Sequence, residues 1–129
     1  MASLSFRVDL ARGERFGPGK RQLLQLIGDL GSISAAGRAM KMSYRRAWLL
    51  VEEINASFSQ PLVEKAPGGA GGGGAILTPV GRSVLRCLDE IDDAVSRAAA
   101  PALAQLDDLS QGEGGRKKKA GAKGTGRTG

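Results

Sequence analysis

Residues 31–58 read GSISAAGRAMKMSYRRAWLLVEEINASF, and the rest of the chain is arranged around them. Two helix-forming runs flank a short Lys41-Met42 segment. In the first, Ser32 or Ser34 can accept the orphan amides of a helix start, and Ile33 is placed to pack back on it. That helix is predicted to run to about Met40. Its Ala35, Ala36, Gly37 and Ala39 are small, which lets a neighbouring helix come close. Ser43 is the expected cap of the second run. There Ala47, Val51, Ile54 and Phe58 recur at i, i+4, i+7 and i+11, a stripe that faces a core. Arg45, Arg46, Leu49, Glu52 and Glu53 fall off the stripe. Two helices joined by a tight turn, the second opening on a hydroxyl, an aromatic and two arginines, form the pattern that a helix-turn-helix presents to a DNA groove.

Upstream, residues 3–10 alternate, with Leu4, Phe6, Val8 and Leu10 on one side and Ser5, Arg7 and Asp9 on the other. This predicts a half-buried strand. Residues 11–19 hold three glycines and a proline and read as a loop. Over 20–30 the spacing of Leu23, Leu26, Ile27 and Leu30 predicts a first helix, with Gly31 as its C-cap.

Downstream, Pro61 stops the helical region, and 62–65 and 75–77 read as short strands around APGGAGGGG at 66–74. A hairpin in this place, just after the second helix of the motif, is a wing. Thr78-Pro79 supplies a cap and a first-turn proline for a long helix. Along it Val84, Leu88, Ile91, Val95, Ala98 and Ala102 recur at alternating steps of 4 and 3, a coiled-coil seam that wants a partner helix. Pro101 should kink or split this helix near Ala100, leaving its last part to Leu109 separate or frayed. Residues 111–129, QGEGGRKKKAGAKGTGRTG, lack apolar side chains and are expected to be a disordered basic tail.

The expected architecture is therefore mainly α: a winged helix-turn-helix over 1–110, with a small β-hairpin wing and a long C-terminal dimerisation helix, followed by the tail. The 129 residues, 41% of them hydrophobic, suffice for one modest core and leave no room for a second full domain. Arg116, Lys117, Lys118, Lys119, Lys123 and Arg127 against Glu113 place +5 of the net +6 beyond Ser110, leaving +1 for everything before it. The pI of about 10.0 is thus largely a property of the tail. Its lysines either bind phosphate non-specifically or only solubilise the chain.

Several classes of chemistry are disfavoured. There is no histidine, so His-based metal sites and triads are excluded. The single cysteine, Cys87, cannot form an intramolecular disulfide and is read as a small core residue in a reducing compartment. No signal peptide or membrane-length apolar run is present, so a cytoplasmic location is expected. The carboxylates Glu52, Glu53, Asp89, Glu90, Asp92 and Asp93 read as solvated helix faces. Gly69, Gly71 and Gly74 match G-x-G-x-x-G, but a strand follows rather than a helix, which argues against a nucleotide loop. No enzyme, metal or cofactor is expected.

For DNA, the opening of the third helix is the sharpest candidate, because side chains at a helix N-terminus point forward to base edges and phosphates. The expected contact set there is Ser43, Tyr44, Arg45, Arg46, Trp48 and Leu49. It is joined by Ser32 and Ser34 at the start of the preceding helix, and by Lys65, Gly71, Gly72 and Gly73 on the hairpin. Trp48 could equally hold the helix on its scaffold as a core residue. Dimerisation is expected of Val84, Leu88, Ile91 and Val95.

With these elements placed, residues 4–109 resemble the N-terminal DNA-binding domain of the ModE family of molybdate-responsive transcription regulators, a relative of the LysR-type winged helix. Gly31-Ser32-Ile33-Ser34, Ser43-Tyr44-Arg45-Arg46-Ala47-Trp48, Leu62-Val63-Glu64-Lys65 and the glycine-rich 68–78 carry the resemblance. It implies a homodimer on an inverted-repeat operator, with Ser43, Tyr44, Arg45 and Arg46 in the major groove and the wing on the flanking backbone or minor groove. It also implies dimer contacts from the terminal helices. Family wings often carry a lysine where this chain has Ala70, so a weaker wing contact is expected. The molybdate-binding domains that normally follow have no counterpart, and the basic tail stands in their place. The function expected is sequence-specific regulation of transcription, with a link to molybdenum-related genes implied by the resemblance alone. The alternative is a dimerisation module that pairs with a full-length family regulator and modulates it.

Overall fold

A computed structural model of the chain describes residues 1–66 and 74–111. The expectations for Gly71, Gly72 and Gly73 and for the tail beyond Gln111 lie outside these. The described residues form two units, one of Ser5–Ile91 and one of Met1–Leu4 with 92–111. The described structure is mainly helical, with two small antiparallel hairpins.

In the larger unit the first hairpin pairs β1 (Val8–Asp9) with β2 (Arg15–Phe16), Val8 opposite Phe16 and Asp9 opposite Arg15. The expected strand over 3–10 is thus only two residues long, and the expected loop over 11–19 contains its partner. The Leu10 amide donates to the Glu14 carbonyl at 2.8 Å, and Gly13 turns at φ 90°. This turn limits the pairing to two positions, and residues before Val8 have no strand beside them among the described residues. From Phe6 onward the alternation keeps its phase, but Leu4, expected on the apolar side, is 40% exposed. Phe6, Val8 and Leu10 are half-buried, while Ser5, Arg7 and Asp9 are exposed.

Helix α1 (Pro18–Leu30) starts two residues before the expected Lys20, because Pro18 fits the first turn, where its missing N–H costs nothing. It ends as expected at Gly31, which sits at φ 70° and donates its amide to the Ile27 carbonyl. Leu23, Leu24 and Ile27 are fully buried, whereas Leu30, expected on the inner face, is 49% exposed. Helices α2 (Ile33–Ala39) and α3 (Tyr44–Ala56) follow, then a hairpin of β3 (Val63–Lys65) and β4 (Ala75–Leu77) in the register Val63 to Leu77, Glu64 to Ile76 and Lys65 to Ala75. Ile33, Ala36, Ala47, Val51, Ile54, Leu62 and Val63 close one core with Phe16, Leu85 and Leu88.

Helix α4 (Pro79–Gln111) begins as the sequence predicts: the Thr78 hydroxyl accepts from the Gly81 amide at 2.9 Å and donates to the Pro61 carbonyl at 2.8 Å. The predicted break at Pro101 does not occur, and the helix is continuous through it. Proline removes one bond of the ladder, but Ala98, Ala99, Ala100, Ala102, Leu103 and Ala104 around it are among the strongest helix formers. In the smaller unit the Ala2 amide donates to Asp107 Oδ1 at 2.6 Å, and Arg97 pairs with Asp93 one turn away at 2.9 Å.

Candidate nucleic-acid interface

Helix α2 starts at Ser32, whose hydroxyl accepts from the Ala35 amide at 3.0 Å. Ser34 lies inside the helix, and its hydroxyl accepts from Arg38 Nη1 at 2.8 Å. Gly37 faces Ala47 so closely that a Cβ at Gly37 would lie 2.8 Å from the Ala47 Cβ. The small residues of α2 thus set how near α3 can approach. The chain then turns through Lys41 and Met42, and Ser43 caps α3 by accepting from the Arg46 amide at 3.1 Å.

Beyond that cap Tyr44, Arg45 and Arg46 are all exposed, Tyr44 at 61%. They stand at the positive end of the α3 dipole, which favours an anion there. Tyr44 meets Trp48 edge to face with ring centroids 6.1 Å apart, and Leu49 is exposed beside them. Trp48 is half-buried and packs against the core, as one of its two expected roles requires. Its indole Nε1 is buried and has no hydrogen-bond partner among the described residues.

The second hairpin is fastened to the start of α2. Ser32 bridges Gly74, and the Ala75 amide donates to the Gly31 carbonyl at 3.0 Å. Exposed Lys65, opposite Ala75, is thereby held on the strand next to this junction. Ser32, Lys65 and the α3 opening therefore belong to one continuous framework of α2, α3 and the hairpin.

Charge singles out two residues that the motif reading did not. Between Asp29 and Glu52 there is no carboxylate, while Arg38, Lys41, Arg45 and Arg46 contribute +4. Arg38 and Lys41 were legible as part of this acid-free run, a signal that counting helix positions passes over. Among the described residues, none of Lys41, Arg45, Arg46 and Lys65 is paired with a carboxylate.

The expected dimerisation residues have mixed environments. In the larger unit Val84 is half-buried, Leu88 is buried in the chain's own core and Ile91 is 38% exposed. In the smaller unit Val95 is half-buried. Val8, Leu10, Phe58, Val80, Val84 and Ile91 line an open apolar groove of about 360 Å³. Cys87 lines it too and is exposed, not a core residue, because Gly81, Leu85 and Leu88 form the face that α4 buries. Among the described residues no helix is long and apolar enough to cross a membrane, and no cluster of three or more His, Cys, Asp or Glu could hold a metal ion.

No family model matches the chain. Individual proteins do. The molybdenum-pterin-binding protein MopB of Rhodobacter capsulatus is 42% identical over 85 residues, 66% of this chain and 32% of that protein. The DNA-binding transcriptional dual regulator ModE of Escherichia coli K12 is 40% identical over 72 residues, 56% of this chain and 28% of that protein. The molybdenum transport protein ModE of Azotobacter vinelandii is 33% identical over 85 residues. The chain spans about a third of the length of the curated relatives it matches. It is ModE-like, and the proteins it resembles are regulators and binders of molybdenum species.

Proposed function

We propose, from this similarity to molybdenum-linked regulators, that the chain is a winged helix-turn-helix protein that binds double-stranded DNA sequence-specifically and regulates transcription. In this reading α2 and α3 are the helix-turn-helix, α3 is the recognition helix and the β3–β4 hairpin is the wing. The observation that carries it is the acid-free segment between Asp29 and Glu52, whose four exposed basic residues include two, Arg45 and Arg46, in the opening of α3. An ordinary solvated helix face mixes both signs of charge, whereas a surface that meets a polyanion such as DNA excludes carboxylates, as this one does over two helices and a turn. Ser43, Tyr44, Arg45 and Arg46 enter the major groove, with arginine suited to guanine bidentately. Leu49, exposed one turn beyond Arg45 and Arg46, and Trp48, which packs edge to face on Tyr44, extend the contact along α3. Ser32, Ser34 and Lys65 lie towards the phosphates. The reading includes no reaction, and it extends to molybdenum-related genes through the relatives alone.

Two copies would bind an inverted repeat, meeting through α4, where Ile91 of the expected seam is exposed. Fluorescence anisotropy of the chain on the DNA upstream of its own gene, against a scrambled duplex, tests the proposal. Arg45→Ala should cost about 1–3 kcal/mol of specific binding and leave the scrambled duplex less affected. A folded Arg45→Ala protein that keeps its full preference would remove Arg45 from the readout. Equal affinity of the unsubstituted chain for both duplexes would defeat sequence-specific binding.

A further inference from the structure

The turn between α2 and α3 holds a backbone conformation that its sequence does not favour. Lys41 has φ 58° and is the one non-glycine among the described residues with a positive φ. The hydrogen bonds around it are those of a helix stop closed by a left-handed residue. The Met42 amide donates to the Gly37 carbonyl at 3.0 Å, and the Lys41 amide to Arg38 at 2.9 Å. Glycine is the residue that suits this position, since a Cβ meets the following carbonyl there. The molecule supplies its own comparison: α1 ends at the same kind of left-handed residue, and there it is Gly31 at φ 70°. Lysine at the second stop is therefore carried at a cost to the fold. Its side chain is exposed, and among the described residues it pairs with no carboxylate. It stands two residues before the Ser43 cap, in the run that also holds Arg38, Arg45 and Arg46.

We propose that Lys41 is a phosphate anchor: its ammonium grips the DNA backbone beside the groove that the opening of α3 enters, fixing the register of the helix without reading sequence. This rests on the DNA-binding reading above. The test compares the unsubstituted chain with Lys41→Gly and Lys41→Arg by thermal melting. Anisotropy across a salt series, on the upstream duplex and on its scrambled counterpart, supplies the second readout. Lys41→Gly should melt roughly 2–8 °C higher while binding both duplexes more weakly by the same factor. The slope of log affinity against log salt should fall by about 0.9 for each chain bound. Lys41→Arg should keep the original slope. An unchanged slope in Lys41→Gly overturns the anchor and leaves the DNA reading standing. A loss confined to the upstream duplex overturns it in favour of a base contact. A melting point no higher than that of the unsubstituted chain overturns the claim that lysine is held there at a cost. Absence of binding to either duplex by the unsubstituted chain overturns the DNA reading itself, and the anchor with it.

Discussion

Asn55, near the end of α3, ties that helix to the second hairpin with one side chain. Its Oδ1 accepts from the amides of Leu62 and Val63 at 2.9 and 3.0 Å, and its Nδ2 donates to the Val63 carbonyl at 3.2 Å. These groups begin β3, and Leu62 and Val63 are buried, so water cannot replace the lost partner freely. Asn55→Ala should lower stability by about 2–4 kcal/mol in urea denaturation, whereas Asn55→Asp, which keeps the acceptor, should cost less. A change below about 0.5 kcal/mol for Asn55→Ala would show that the helix does not hold the hairpin through this residue. Nothing in the sequence marks Asn55, because its partners lie seven and eight positions away and a lone polar residue in a helix reads as solvated. Thr78 is the opposite case. A threonine before a proline announces a helix start locally, and its two bonds follow. Gly81 beside it admits no Cβ, since the Leu62 carbonyl occupies that space.

Among the elements, those bounded by local chemistry were legible. Gly31 ends α1, Ser43 opens α3 and Thr78-Pro79 opens α4, each through bonds that span three or four residues. The β1–β2 hairpin was not legible, because two pairs of residues carry no periodicity to read and Arg15–Phe16 lies among glycines. At Pro101 the neighbouring residues outweigh the proline, and the helix continues. A proline in a helix forfeits one bond and strains the preceding turn, yet a run of alanine and leucine on both sides recovers the remaining bonds. Pro101→Ala should therefore leave α4 where it is and raise its stability, by up to about 3 kcal/mol for the helix. Amide exchange across residues 97–105 reads this directly. Protection no greater than in the unsubstituted chain would mean that proline costs this helix nothing. Within the site, the α3 opening was legible from its motif and is exposed as expected. The left-handed backbone at Lys41 was not, because a positive φ at lysine has no signature in the sequence.

Over the whole sequence, charge is unevenly distributed. Before residue 111 the chain carries +1, of which +4 lies between Asp29 and Glu52, so the remainder is −3. The basic segment is proposed to face nucleic acid, and Ile91 on α4, which also lines the apolar groove, to face a second copy. Ile91→Lys places a charge in that groove and should shift the protein to monomer in size-exclusion chromatography. It should also weaken binding to an inverted repeat far more than to a half-site. A dimer that survives Ile91→Lys would move the contact elsewhere on α4. The indole of Trp48 has one more consequence for the whole chain. It is the only tryptophan in 129 residues, so all of the protein's indole emission arises one helical turn from Tyr44. Among the described residues its ring nitrogen meets no hydrogen-bond acceptor. Any change in the colour of that emission when a ligand is added therefore reports from α3 alone, and the molecule carries an optical gauge at the face proposed to touch DNA.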